Sequence, residues 1–364
     1  MRSETKSTMI LLILFGTIPV DCRSRMASIK VEPVVFSHAD EMAHNEDFII
    51  LADRRVFTVM AFMNACGYDK QIDGIPMHPV RIHVREAIRL KAEAHPHELA
   101  KWKRYYRKKA LSNFCYLDYA LSLCDDYPFR RIRPDSELGY RTTGRRLTDF
   151  PDILNTFWEM VGLEQIWAEV KSDYLAEIQS YNLDHMANQL TFMWEYLRLE
   201  RKDSFTFVSI PNLLDTNRHA IGARYEDYWY AVESPGAHSY DFNVHEYLHS
   251  IINVLVDKNY RSYQSKLDVY FKAGKDTTIA KSYGNPAGYA SECLVRALDH
   301  RIAILMTDNP ETVKRREALV KKKTQDGLLL TEPFYELLVD FEQSKLDFKE
   351  FLPKLMEKLP EYRD

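Results

Sequence analysis

The sequence predicts a helix-rich α+β fold, in which a mainly helical N-terminal region precedes a core that carries a small mixed sheet. Apolar residues recur at helical spacing through long stretches, most clearly over residues 148–200. Short strand-like segments separated by a polar turn region replace that pattern between about 205 and 233. The composition, 46% hydrophobic and 28% charged over 364 residues, is typical of a globular protein with ample core material.

The segment 1–25 predicts a secretory signal peptide. A short basic stretch precedes an apolar run from Met9 to Val20, which is too brief for a comfortable membrane span. We therefore expect a protein secreted or exported to the periplasm or cell surface if Met1 is the true start, with no transmembrane span in the mature chain. If translation begins at Met26, we expect a cytoplasmic protein.

Residues 26–200 are expected to form the mainly helical N-terminal region, after a strand over 28–37. One helix is expected from about Phe48 to Gly67, where glycine ends it. A second is expected over 79–109 with an interruption near its internal proline, and further amphipathic helices follow to residue 200.

The catalytic core is expected over 201–310, and helices over 311–364 complete the chain. Residues 205–210 alternate apolar with polar side chains, and residues 224–233 contain an aromatic and β-branched run from Tyr228 to Val232. Together they predict two strands that form a long hairpin. The rest is expected to be helical, apart from a loop around 274–288.

The motif His245-Glu246-Tyr247-Leu248-His249 follows the predicted hairpin. Residues four apart lie on the same face of a helix, so the two imidazoles are placed to converge on one Zn²⁺. Glu246 is placed to take a proton from the water that zinc activates. Ser239 or Asp241 is expected to cap this helix. An apolar stripe gives its buried side: Val244, Leu248, Ile251 and Leu255.

A third zinc ligand is expected on a later helix, because zinc hydrolases use three protein ligands and an open position. Asn285-Pro286 is typical of a helix start, and Glu292 follows on that helix, 43 residues after His249. The plainer interpretation of Glu292 is an ordinary ion pair with Arg296, four residues on.

Hydrolysis also needs a donor that stabilises the developing oxyanion. The candidates are Tyr289, Tyr283, Arg296 and His300, each of which has packing or a surface contact as its alternative role. Asp299 and Arg296 are the candidates for orienting the histidine rings through contacts with the ligands.

The segments His245 to Ser250 and Glu292 to Ala297 resemble gluzincin-type zinc metallopeptidases, and more narrowly a family of uncharacterised, exported bacterial zincin-like proteins. The resemblance covers mainly residues 200–305. It implies a zincin-like catalytic core behind a helical region, a zinc-bound water and a peptide-like substrate. The best-known gluzincins tend to place an aspartate four residues after the ligand glutamate, where this chain has Arg296.

These residues together predict a zinc metallohydrolase, a metallopeptidase acting on a peptide or protein substrate with Zn²⁺ as its cofactor. Two alternatives stay open: a non-catalytic binding protein on a zincin scaffold, and a zinc hydrolase of a non-peptide substrate.

A basic run interleaved with aromatic residues lies over 101–109, a composition that can bind nucleic acid. The formal net charge of -4 favours a solvated helix face balanced by acids elsewhere. We therefore expect no nucleic-acid partner.

Overall fold

The computed structural model describes residues 42–44, 48–68, 77–138, 141–200, 206–216, 220–225, 227–236, 242–277 and 283–362. The predicted signal peptide, the strand predicted over 28–37 and the cap candidates Ser239 and Asp241 lie outside these residues. Within them, no helix is long and apolar enough to cross a bilayer. The predicted helix-rich α+β class is confirmed, since helices predominate and the strands form one small mixed sheet.

The strands are β1 (Met42–His44), β2 (Phe48–Leu51), β3 (Thr206–Pro211), β4 (Ala220–Tyr225) and β5 (Tyr228–Glu233). The helices are α1 (Arg54–Cys66), α2 (Pro79–Glu93), α3 (Pro96–Lys109), α4 (Asn113–Ala120), α5 (Arg141–Arg146), α6 (Phe150–Val161), α7 (Leu163–Ser180), α8 (Leu183–Leu197), α9 (Phe242–Gly274), α10 (Pro286–Leu305), α11 (Pro310–Gln325), α12 (Thr331–Gln343) and α13 (Phe348–Lys358).

The sheet has the strand order β1-β2-β3-β5-β4 and mixes both pairing directions. β2, β3 and β5 run parallel to one another, and the two outer strands pair antiparallel to their neighbours. The strands predicted at 205–210 and 224–233 are present, but the hairpin predicted between them is wrong. They pair in parallel, with Phe207 opposite Trp229. The chain instead reverses inside the second segment, so that β4 and β5 form the hairpin and Tyr225 pairs with Tyr228.

The helix predicted from Phe48 begins later than expected, because Phe48–Leu51 is the buried strand β2. The signal for the boundary is Asp53, whose carboxylate caps α1 by accepting from the backbone N–H of Arg55 at 2.8 Å and of Val56 at 3.1 Å. Gly67 ends this helix as predicted. Its backbone φ of 116° is one that residues with a Cβ rarely adopt.

By the density of internal contacts the chain forms two compact units. The first, the sheet unit, contains residues 42–187 and 206–236 of the described chain, and the second, the helical unit, contains 188–200 and 243–362. The predicted boundaries at 200 and 310 do not separate them. The physical reason is that β3, β4 and β5 belong to the same sheet as β2, and so to the unit of the N-terminal helices.

Aromatic side chains fill the core of the sheet unit around α1. Phe62 meets Phe150 and Phe157 edge to face, with ring centroids 5.3 and 5.5 Å apart. Phe57 packs on Trp167 at 4.8 Å. These contacts fix α1 against α6 and α7.

In the helical unit, α10 is buried along most of its length and packs against α11 and α12. Phe341 of α12 contacts both Phe348 and Phe351 of α13. The Tyr289 hydroxyl donates to the carbonyl of Gly327 at 2.7 Å and accepts from the N–H of Leu329 at 2.7 Å. The turn before α12 is thereby fastened to α10, the helix that carries Glu292.

Candidate metal centre

Helix α9 carries the H-E-x-x-H motif and buries it. His245 is 4% exposed and His249 is wholly buried. The predicted apolar stripe is only partly right, because Ile251 is half-buried while Ile252 beside it is fully buried. The rest of the stripe is in the core: Val244, Leu248 and Leu255.

Helix α10 begins where the sequence predicts and brings Glu292 to the histidines. The Asn285 side chain caps it, accepting from the N–H of Gly288 at 2.8 Å, and Pro286 occupies the first turn. One side of the helix enters the core through Leu294 and Leu298. Glu292, on the same helix, is wholly buried.

The donor atoms of His245, His249 and Glu292 all lie within 4.8 Å of one another. The two Nε2 atoms are 3.2 Å apart. Glu292 Oε2 is 3.4 Å from Nε2 of His249, and Oε1 is 3.9 Å from Nε2 of His245. Ligand bonds of about 2.0–2.2 Å in a tetrahedron place neighbouring ligand atoms roughly 3.3–3.5 Å apart. The three donors therefore fit a zinc ion with little rearrangement.

The tautomer of His249 is set by Asn253, one helical turn further along α9. The Asn253 Oδ1 lies 3.2 Å from Nδ1 of His249. An amide oxygen only accepts, so the Nδ1 proton is assigned to this bond, which leaves the lone pair of Nε2 facing the other donors. Ligand histidines in zinc sites are typically oriented in this way. Sequence reasoning missed Asn253, although its i+4 spacing from His249 was a readable signal.

Arg296 lies behind Glu292, with its Nε 2.5 Å from Oε1 of the carboxylate. Burial alone would raise the pKa of the Glu292 carboxyl, but Arg296 and the two histidines outweigh burial and hold that pKa below its usual range. Burial also holds the pKa of His245 well below its usual range. The cluster therefore presents a charged carboxylate and a neutral imidazole, which are the forms that bind metal.

Glu246 is wholly buried on α9, directly after His245. Among the other predicted donors, the structure brings Tyr283 to the site. The charge of the neighbouring Glu292 adds to the effect of burial in raising the pKa of the Tyr283 phenol well above its usual value. The predicted role of Tyr289 as oxyanion donor conflicts with its geometry, since its one O–H proton is used on Gly327.

His300 and Asp299, the candidates that remain, both lie near Arg316. Nδ1 of His300 is 3.4 Å from a guanidinium nitrogen of Arg316, and burial lowers the pKa of His300 to about 3. Asp299 lies 3.7 Å from the same arginine. The contact partner of Asp299 is thus Arg316, and that of Arg296 is the ligand Glu292.

No protein-family model matches the chain, and comparison with curated proteins and with solved structures gives no match. Within the described residues, the cluster at 245, 249 and 292 is the group of histidine, cysteine and acidic side chains that has metal-ligand spacing. Its chemistry rests on its own geometry: three buried donors within ligand distance of one another, one of which is a charged carboxylate.

Proposed function

We propose that the protein is a zinc-dependent hydrolase that cleaves peptide bonds. The observation that carries this proposal is the buried donor set of His245, His249 and Glu292, whose spacing fits tetrahedral zinc. Three protein ligands leave one position of the tetrahedron for water or substrate, as in catalytic zinc sites. Glu246 beside the first ligand supplies the acid–base group that such a site uses.

The residues have separate roles in this proposal. His245, His249 and Glu292 hold the metal, and Asn253 and Arg296 fix the orientation of two of those ligands. Zinc, when bound, supplies Lewis acidity to the substrate carbonyl and to the attacking water. Glu246 accepts the proton that the water releases and returns it to the leaving amine.

Tyr283 is the candidate for stabilising the oxyanion. Burial, and after it the charge of Glu292, raise its pKa well above the usual value, so the phenol keeps its proton at neutral pH. That proton is shared with the Glu292 carboxylate, so donation to an oxyanion requires the phenol to turn from Glu292 to the substrate. Its position beside Glu292 places it at the edge of the metal cluster. Arg296, the other candidate at the cluster, already holds Glu292.

One observation favours the non-catalytic alternative, in which the protein binds zinc without turnover. The four motif residues His245, Glu246, His249 and Glu292 are between 0% and 4% exposed. Structural zinc sites are closed, whereas catalytic sites admit substrate. A substrate must therefore gain access through local opening if the hydrolase proposal is right.

The test compares zinc-loaded wild type with Glu246→Gln on a broad peptide library, with zinc content measured in the same samples. The matched control is Glu336→Gln, an exposed glutamate of α12 in the same unit. We expect the wild type and the control to cleave peptides. Loss of a general base typically lowers the rate by about 10²–10⁴-fold, so Glu246→Gln should retain zinc and lose turnover.

Equal turnover by Glu246→Gln and wild type would contradict the assigned role of Glu246. Full zinc occupancy with no cleavage by wild type would support the binding-protein alternative. Cleavage of ester or amide substrates that are not peptides, without any cleavage of peptides, would support the non-peptide hydrolase.

A further inference from the structure

Helix α11 packs against α10, the helix that carries Glu292, and runs in the opposite direction. The connection between the two helices, residues 306–309, is short, as is typical of antiparallel neighbours. Arg316 of α11 sets their register, since a guanidinium nitrogen lies 3.4 Å from Nδ1 of His300 and 3.7 Å from a carboxylate oxygen of Asp299. These contacts show which face of α11 meets α10.

Lys323 lies on that face of α11, level with Glu292. Arg316 and Val320 are 7% and 2% exposed, and Lys323 follows Arg316 at a spacing of seven, which keeps residues on one side of a helix. Seven residues of α-helix are about 10 Å long, and Glu292 precedes Asp299 by the same seven positions on the antiparallel partner. The register at Arg316 and Asp299 therefore places Lys323 beside Glu292.

The electrostatics of the two helices agree with this placement. Burial, and after it the charge of Arg296, lower the pKa of the Lys323 ammonium to about 8, and the charge of Glu292 acts in the opposite direction. The charge of Lys323 in turn contributes to the lowered pKa of His300. Lys323 is therefore charged at pH 7 and close to a metal ligand.

The acids that flank Lys323 on α10 and at the end of α11 have cations of their own. The pairs are Arg296 with Glu292, Arg316 with Asp299, and Lys322 with Asp326. In the part of the chain that the structure describes, the ammonium of Lys323 has neither a hydrogen bond nor an ion pair, although it is half-buried. A ligand that brings an anion to this position gains an ion pair that water screens less than at the open surface.

We propose that Lys323 binds a carboxylate of the substrate, so that the site selects peptides with a negative charge near the scissile bond. This inference rests on the hydrolase function proposed above. The ammonium beside Glu292 holds the carboxylate while the scissile bond lies at the metal cluster. A peptide offers this group either at its C-terminus or on an acidic side chain, and both present the same two oxygens to an ammonium.

The test measures cleavage by zinc-loaded protein of three peptide libraries of equal length. The first has free C-terminal carboxylates and no acidic side chains, the second has C-terminal amides and no acidic side chains, and the third has C-terminal amides and one aspartate. We expect the first or the third to be cleaved with a kcat/KM about tenfold above that of the neutral second library. Preference for the first assigns the carboxylate to the C-terminus, and preference for the third assigns it to a side chain.

The variants separate substrate binding from a structural role, with the best-cleaved peptide as substrate. Lys323→Gln should raise its KM about tenfold, leave kcat and zinc content unchanged, and abolish the preference for carboxylates. Lys323→Arg keeps the charge and should keep the preference. The matched control, Lys321→Gln, removes the same charge from an exposed position of α11 and should behave as wild type. Melting curves that match wild type show that each variant is folded.

Three results would overturn the inference and leave the hydrolase intact. They are equal cleavage of the three libraries by wild type, an unchanged carboxylate preference in Lys323→Gln, and a loss in Lys323→Gln that is the same for all three libraries. If wild type cleaves none of the libraries, the proposed hydrolase itself is contradicted, and this inference with it.

Discussion

Glu292 in the helical unit and Glu233 in the sheet unit are both wholly buried, yet their protonation equilibria are shifted in opposite directions. Arg296 and two histidines surround Glu292, and they hold its pKa below the usual range in spite of burial. Two hydroxyls hydrogen-bond to Glu233 without a cation beside them, and burial, together with the negative charge of Glu177, raises its pKa to about 7. The partners, more than the depth of burial, therefore decide whether a buried carboxyl is charged.

Two hydroxyl groups donate hydrogen bonds to Glu233. Ser209 Oγ donates to its Oε2 at 2.7 Å, and the Tyr181 hydroxyl donates to the same atom at 3.0 Å. These bonds favour the charged form, but they do not offset the loss of hydration. A carboxyl of this kind holds a proton near neutral pH, whereas Glu292 is ready to bind a cation.

The largest effect is expected from removing the charge partner of Glu292. In metal-free protein, Arg296→Met leaves the carboxylate buried without its guanidinium, which should lower the free energy of unfolding by about 3–5 kcal/mol. The control is Lys322→Met, since Lys322 pairs with Asp326 at the surface and such pairs contribute at most about 1 kcal/mol. Urea unfolding in the presence of a chelator measures the free energy of unfolding of both variants. Equal destabilisation by the two variants would show that Arg296 does not hold the charge of Glu292.

Glu233 should make stability depend on pH in the opposite sense to a salt-bridged carboxylate. The unfolded chain releases this proton near 4.5, while the folded chain keeps it up to about 7. Between these values the folded state binds more protons, so stability falls as pH rises through this window. Relative to Glu233→Gln, wild type should lose up to about 3 kcal/mol between pH 4.5 and pH 8. Urea titrations across this range test it, and parallel curves for the two proteins would contradict it.

Asn253 should contribute to zinc affinity through His249 alone. Removal of a group that orients a ligand histidine typically weakens metal binding by about 10–100-fold, and we expect this for Asn253→Ala. Asn259→Ala is the matched control, because Asn259 lies on the same helix and its side chain donates to the Leu255 carbonyl at 2.9 Å instead. Competition with a chromophoric chelator gives both affinities. If both variants lost the same amount of zinc affinity, the assignment of Asn253 as the residue that orients His249 would be contradicted.

The smallest effect is expected at Ser209. At pH 5, where Glu233 holds its proton, Ser209→Ala should lower the free energy of unfolding by about 1 kcal/mol. At pH 8 the loss should be larger, because the hydrogen bond to the ionised carboxylate is stronger. Urea unfolding at the two pH values measures the difference. A loss that is the same at both would mean that Glu233 does not change its charge between them.

Local sequence signals predicted the elements that carry the metal cluster. The spacing of His245 and His249 placed both rings on one helical face, and Asn285-Pro286 marked the start of the helix that carries Glu292. These features depend on residues within a few positions of one another, so the sequence alone was sufficient to place them.

The pairing of distant strands could not be predicted in this way. The parallel pairing of β3 with β5 joins strand segments that are equally compatible with a hairpin. The apolar residues on the two sides of Asp53 also fit a single helical pattern, so β2 and α1 are not distinguished by periodicity. The hydrogen bonds of Tyr289 to the turn at Gly327 likewise depend on how α10 and α12 pack. Contacts between distant segments do not produce a periodic pattern in the sequence, so periodicity does not predict them.

The most direct test of the central claim is the zinc content of reconstituted wild type, His249→Ala and Glu292→Ala, measured by elemental analysis. His97→Ala is the control, because His97 is exposed on α3 in the sheet unit. Wild type and the control should each hold about one zinc per chain, and both cluster variants should lose it, since two donors rarely retain zinc. A wild type that takes up no zinc, or cluster variants that hold as much zinc as wild type, would contradict the metal centre and with it the proposed hydrolase.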